Sequence, residues 1–360
     1  MGSMKSKRNS NVELLRIIAM AIIVAGHLLS QGGEINNFVN SIISIYLGSG
    51  ARIAVNIFLF IGVYFMVDSK YKTARVLNLW GELFFYSILF TIIAVIIGHN
   101  ISIKNLVKAI LPFSTRALWF ASSYIILLLL HPYLKKFFDL SKEKSKFLVV
   151  FLSFVMIIMS TFSEKQADFI TNTSWFLYIY LLIGWLKKYT NIFNKRENWL
   201  QKYGILFAIF IYLILTTTKS VSIISGNGMI KSFSKLSAQY LSDIKSIPNF
   251  MCGFCLFVDV ITHKPKHSKI INCIARPTFA VYIIHQTPAF FPILWKNILK
   301  TGLWFSTNSI YFCIGIISSI ALIFLVCGIL DYYRQKLVEP RFQKSTLYNQ
   351  IMIKCDSIIN

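Results

Sequence analysis

Charge is scarce in this sequence, and acidic charge is scarcer still. Only 14% of the 360 residues are Asp, Glu, Lys or Arg, and of these 14 are acidic against 37 basic. A water-soluble domain carries roughly 25% charged residues, so this chain lacks the polar surface that a single soluble core would need. Cysteine is too sparse and too badly placed for a disulfide framework. The six fall at 252, 255, 273, 313, 327 and 355, mostly in apolar stretches, and in the Cys252-x-x-Cys255 pair packing is the ordinary role. Internal repeats and low-complexity tracts are missing, which excludes solenoids and linker-rich architectures. No metal-ligand spacing occurs either: His263 and His267 stand four apart, but Pro265 between them breaks the helix that would aim both at one ion.

Apolar length takes the place of charge. The chain is 56% hydrophobic and 15% aromatic with a mean hydropathy of +0.62. Its apolar residues come in runs of about 17 to 25, the length that crosses a hydrocarbon core of roughly 30 Å. The pattern predicts an all-α, polytopic transmembrane bundle of about ten spans, near 12–30, 46–67, 76–98, 118–134, 147–162, 174–186, 203–218, 247–262, 272–295 and 309–330. With the N-terminus inside, the inward segments hold 24 Lys and Arg and the outward ones 10. That is the positive-inside signature, and it accounts for the net charge of +23 without nucleic acid. Both termini are therefore expected in the cytoplasm: 1–11 as a short N-terminal segment, 12–330 as the membrane domain and 331–360 as a C-terminal tail. Met1-Gly2-Ser3 reads as a cloning remnant before a start at Met4, and the first apolar run, which no small-residue cleavage site follows, as a retained span.

Ionisable groups inside spans are costly and mark the places to look for chemistry. In the first span Arg16 and His27 are eleven residues apart, which returns to within about 20° of one helix face, some 16 Å further along. Glu13 lies one turn from Arg16, where it is able to orient the guanidinium. Taken alone, Arg16 reaching inner-leaflet phosphate and His27 bonding a neighbouring helix would account for the pair.

The rest of the chain adds a pattern to that stripe. Val55-Asn56 opens a run through Gly62 and Tyr64; Lys70-Tyr71-Lys72 and Arg75 make a basic inner loop; Leu118-Trp119-Phe120 precedes Tyr124 and His131-Pro132-Tyr133; Phe279-Ala-Val-Tyr282 leads to His285. In order and spacing, across nearly the whole chain, these pieces resemble the acyltransferase 3 family of integral membrane acyltransferases, which acylate sugars and cell-surface polysaccharides. The resemblance implies a membrane O-acyltransferase in a bacterial cytoplasmic membrane. It would move an acetyl or similar group from acyl-CoA (acetyl-CoA first) to a hydroxyl of a lipid-linked or exported glycan. On that reading His27 is the catalytic residue, as general base or acyl carrier, with Arg16 beside it. Lys70, Lys72, Arg75 and Arg16 would hold the acyl-CoA phosphates, Arg through its two-pronged fork and Lys as a point charge. Glu13, Arg52, Asn56, Trp119, Tyr282 and His285 are acceptor-side or structural candidates, and so is Glu82, which is expected to pair with Arg16 or Arg75. The competing class is a transporter or flippase of a glycan or small anion, although paired Gly/Pro-interrupted spans are not found.

Overall fold

Where the sequence offers a short polar side chain ahead of an apolar run, a helix begins. The side chains of Asn9, Asn37, Ser102, Ser141 and Asn308 each accept a backbone N–H from the first turn that follows, satisfying donors that a helix start leaves open. In the computed structural model, which describes residues 8–159, 172–194, 199–224, 228, 229, 231–234 and 243–359, every regular element is helical. The expected remnant at 1–3 lies outside the described residues, as do most of the expected outer segment 163–173 and part of 219–246.

The elements are α1 (Ser10–Gln31), α2 (Phe38–Val67), α3 (Thr73–Ile96), α4 (Ile103–Ile110), α5 (Trp119–Lys135), α6 (Lys142–Ser153), α7 (Asn172–Tyr189), α8 (Trp199–Ile224), α9 (Ile247–Thr262), α10 (Lys269–Ala275), α11 (Thr278–Gln286), α12 (Ser309–Tyr333), α13 (Glu339–Gln343) and α14 (Thr346–Ile359). Among the described residues, five stretches are both long and apolar enough to cross a membrane: α1, α2, α3, the Tyr203–Val221 part of α8, and Ser309–Gln343, which starts as α12. The apolar α9 is shorter, at 16 residues. On α12, Ile310, Ile314, Ile317, Leu325 and Ile329 are exposed while Phe312, Ile316, Ile323 and Cys327 are buried. A helix apolar on both faces suits a lipid surround, since water would penalise the outer one.

The core is built on the α1–α2 pair, which packs along most of its length. At its crossing, a Cβ added to Gly26 would stand 2.5 Å from the Ala51 Cβ, so only glycine allows this approach. Around the pair stand α5 and α7 on one side, α9 on another, and α11 and α12 against α1. A second close approach joins α2 to α5: a Cβ at Gly62 would lie 2.9 Å from the Tyr124 hydroxyl oxygen.

Two expectations change and one segment gains structure. The stretch 272–295 is not one helix: α10, α11 and a π-helical segment at Ile293–Ile298 are separated at Arg276-Pro277 and at Thr287-Pro288, because proline removes a backbone donor and disfavours helix in the residue before it. The segment 331–360, expected as a C-terminal tail, is helical through residue 359 apart from short turns. It continues α12, forms α13 and α14, and docks on α3 through Thr73 Oγ1 to Asp356 (2.6 Å) and Tyr348 to Asn78 (3.1 Å). Glu82 pairs with neither Arg16 nor Arg75. Its carboxylate meets Arg334 at 3.4 Å, within a buried group in which Arg334 also binds Asp331 (2.8 Å) and Glu339 (3.1 Å).

Candidate active site

A cavity of about 360 Å³ opens between α1, α2, α5, α8 and α11. The face of α2 that turns into it is Gly48, Ala51, Arg52, Val55 and Phe58, three or four residues apart as one stripe of a helix must be. Opposite stand Met20, Ile23 and His27 of α1; Trp119 and Phe120 begin α5, and Phe279 and Tyr282 belong to α11. The wall is therefore mostly apolar, with a few polar groups converging on it, the usual make-up of a small-molecule site.

His27 does not stand alone in that wall. Its Nδ1 lies 2.9 Å from Nε2 of His285, and Nδ1 of His285 lies 2.5 Å from the Val281 carbonyl oxygen one turn back. A backbone carbonyl only accepts, so His285 Nδ1 carries the proton and, in the neutral ring, Nε2 is bare. The bare nitrogen accepts from His27 Nδ1–H, and this leaves His27 Nε2 unprotonated. Two imidazoles 258 positions apart in sequence thus fix each other's tautomer. His285 is fully buried, between Tyr282 and Trp295, whose rings lie 6.3 and 6.2 Å away. Tyr282 accepts the Phe120 N–H at 3.3 Å, capping the start of α5 at the edge of the cavity.

Arg16 is set below this chamber. It donates to Glu13 at 3.0 Å, as the spacing anticipates, and its guanidinium lies 6.0 Å from the centre of the Phe58 ring, which walls the cavity. Both Arg16 and Arg75 lie within electrostatic range of the Tyr124 hydroxyl.

The loop itself is pinned. Ser69 O accepts from His131 Nε2 (3.1 Å) and Lys135 (3.4 Å), Ser69 Oγ accepts from Arg75 (3.0 Å), and Asp68 pairs with Lys187. The other ring nitrogen of His131 accepts from the Tyr180 hydroxyl at 2.8 Å, tying the loop to α7. Lys70, Lys72 and Arg75 are exposed on this anchored turn.

The cavity therefore brings together His27, Arg52, Trp119 and Tyr282, with His285 one hydrogen bond behind. Outside the cavity lining, Arg16 pairs with Glu13, Lys70 and Lys72 lie on the turn between α2 and α3, and Arg75 is in the first turn of α3. Asn56 is committed elsewhere: fully buried, it donates to Ile244 O (2.6 Å) and accepts from Trp175 Nε1 (3.0 Å), holding α2 to α7 and to the chain ahead of α9. Glu82 belongs to the Arg334 cluster.

Sequence reasoning gave no site role to Lys219, His131, Asp331 or Arg334. Each is an ionisable group in or beside an apolar run, the signal that singled out Arg16 and His27. Lys219 had been assigned to a loop, His131 to a helix end and the last two to a tail.

A family model described as an acyltransferase domain, of the acyltransferase 3 type, matches residues 9–328. The chain belongs to the acyltransferase 3 family. No curated protein and no solved structure gives a significant match. Acyltransferase 3 membership together with the apolar helices makes this a multi-pass membrane protein, implies acyltransferase activity and calls for an acyl donor. The matched region includes the whole cavity and the basic loop, and ends within α12.

Proposed function

We propose that the protein is a membrane O-acyltransferase that moves an acetyl group, or one of similar size, from acyl-CoA to a hydroxyl of a lipid-linked or exported glycan. The observation that carries this reading is the His27–His285 pair at the wall of the 360 Å³ cavity. With Nδ1 committed to His285, His27 Nε2 is the nitrogen left to take a proton from a hydroxyl in the cavity. The hydroxyl oxygen attacks the thioester carbonyl carbon, the C–S bond breaks, and the departing thiolate recovers the proton from His27. The imidazolium that forms in between donates through Nδ1 to neutral His285, which stabilises the charge as it develops.

The donor fits the basic residues outside the cavity lining. Lys70, Lys72, Arg75 and Arg16 would meet the CoA phosphates, and the pantetheine arm would cover the roughly 16 Å that the helix rise puts between Arg16 and His27. In this arrangement ten spans with both termini inside place the basic loop in the cytoplasm, where acyl-CoA is made. The membrane is the bacterial cytoplasmic membrane. Arg16 serves donor binding, and His27 the proton transfer.

The test is purified protein in lipid, incubated with labelled acetyl-CoA and candidate glycans. His27→Ala is expected to abolish transfer while membrane abundance and thermal stability hold. Full transfer by a well-folded His27→Ala protein overturns the assignment, and acceptor movement across vesicles without modification would favour a transporter.

A further inference from the structure

The cavity has an electrical asymmetry that general-base chemistry does not require. Two of its lining residues are cations, Arg52 of α2 and Lys219 of α8, and none of the described residues lining it is acidic. The Gly26–Ala51 contact sets His27 and Arg52, each the next residue along its helix, at one level of the α1–α2 pair, and Arg52 lies within electrostatic range of His27. Asp243 acts on Arg52 from behind the wall, but that carboxylate is also 3.9 Å from Lys245. A cation in a span costs about 2.5 to 3.5 kcal/mol on insertion scales. Two cations opening on the same cavity as His27 suit a ligand that brings negative charge.

We infer that Arg52 and Lys219 form an anion subsite of the acceptor, so that the group acylated belongs to an anionic substrate, with a carboxylate or phosphate held beside the reacting hydroxyl. This rests on the acyl-transfer reading above and narrows it. Arg52 supplies a planar fork that takes two oxygens of a carboxylate or phosphate, and Lys219 a point charge. The anion is seated apart from Arg16 and Arg75, which do not line the cavity, so donor phosphates and acceptor anion do not compete. The charge has two sources, the glycan's own acid group or the phosphate of its lipid carrier, and either satisfies the subsite.

Binding separates this from catalysis. Wild-type protein in lipid nanodiscs is titrated with a galacturonate oligomer, with a neutral galactose oligomer on a polyprenyl diphosphate, and with the free neutral oligomer as reference. The acid oligomer, the carrier-linked oligomer or both are expected to bind roughly 10- to 100-fold tighter than the reference, the worth of one charge-assisted contact. Tighter binding of the first assigns the anion to the glycan, and of the second to the carrier. In Arg52→Gln and in Lys219→Gln the preference should collapse towards unity, and Arg52→Lys should keep part of it. Equal binding of all three ligands by wild-type protein, or a preference undiminished in both Gln variants, overturns the subsite. Loss of acyl transfer with the preference intact would instead count against the acyltransferase mechanism and leave the subsite standing.

Discussion

Removing His285 is the sharpest probe of the imidazole pair. When His27 takes the acceptor's proton it becomes a cation, and its Nδ1–H then donates to His285 Nε2 across the 2.9 Å contact. A hydrogen bond from a charged group contributes about 1.5–3 kcal/mol. Because the charge exists only as the reaction proceeds, this loss falls on the barrier. At about 1.4 kcal/mol per factor of ten, His285→Leu should lower kcat roughly 10- to 150-fold. Acceptor and donor KM should move little, since His285 stands behind the wall and touches neither. A second loss has the same sign. With nothing to accept from Nδ1, the His27 proton is free to sit on Nε2, and that tautomer cannot act as a base. His285→Gln separates chemistry from packing, because its amide oxygen reaches towards the place of Nε2 and still accepts. It should recover most of the rate, while both variants share the loss of an aromatic ring between Tyr282 and Trp295. The assay is steady-state transfer from acetyl-CoA in lipid, with thermal unfolding measured alongside. A folded His285→Leu protein with kcat within about twofold of wild type would refute the relay, because a charge-assisted hydrogen bond cannot be worth so little. Equal losses in Leu and Gln variants, tracking their unfolding temperatures, would reduce His285 to a packing residue.

Replacing Lys72 and Arg75 together with Gln should raise the apparent KM for acyl-CoA roughly 10-fold or more while acceptor KM stays constant, as expected from losing charge-assisted phosphate contacts; an unchanged donor KM removes the loop from the site. His131→Leu should produce a weaker form of the same phenotype, since His131 pins Ser69 O at 3.1 Å and touches no ligand site itself. Normal donor kinetics in that variant would show that the loop needs no anchor. Arg334→Leu should cost about 3–5 kcal/mol of stability, the usual penalty for breaking a buried ion pair, because Glu82, Asp331 and Glu339 would lose their shared cation. Thermal unfolding in detergent measures it, and a shift equivalent to less than about 1 kcal/mol would mean that the carboxylates hold no charge there.

What could be read from the sequence divides along a physical line. Helical class and the polar stripe of α1 follow from properties local to a segment, namely apolar run length and a 100° step, so Arg16, Glu13 and His27 were legible with their mutual geometry. Position along a helix is local too, which is why Glu82 was legible as a costly charge inside the third span. Lateral neighbourhood is not local. Nothing in a linear sequence distinguishes Arg16, Arg75 and Arg334 as partners for one carboxylate, and the one that meets Glu82 of α3 is Arg334, just beyond the end of α12. Averaging hides breaks as well: an apolar window across 272–295 reads as one span although Pro277 and Pro288 interrupt it. That break has a consequence for the site. Freed from a straight helix on both sides, α11 is nine residues long and carries both Tyr282 and His285, so one short element delivers a cavity wall and the partner of His27. Its C-terminal boundary at Thr287-Pro288 lies two residues beyond His285. Ending the helix there sets where α11 stops relative to α1, and with it how far the His285 ring can approach His27. The prolines that blurred the span prediction are thus part of what sets the 2.9 Å contact on which the proposed proton transfer depends.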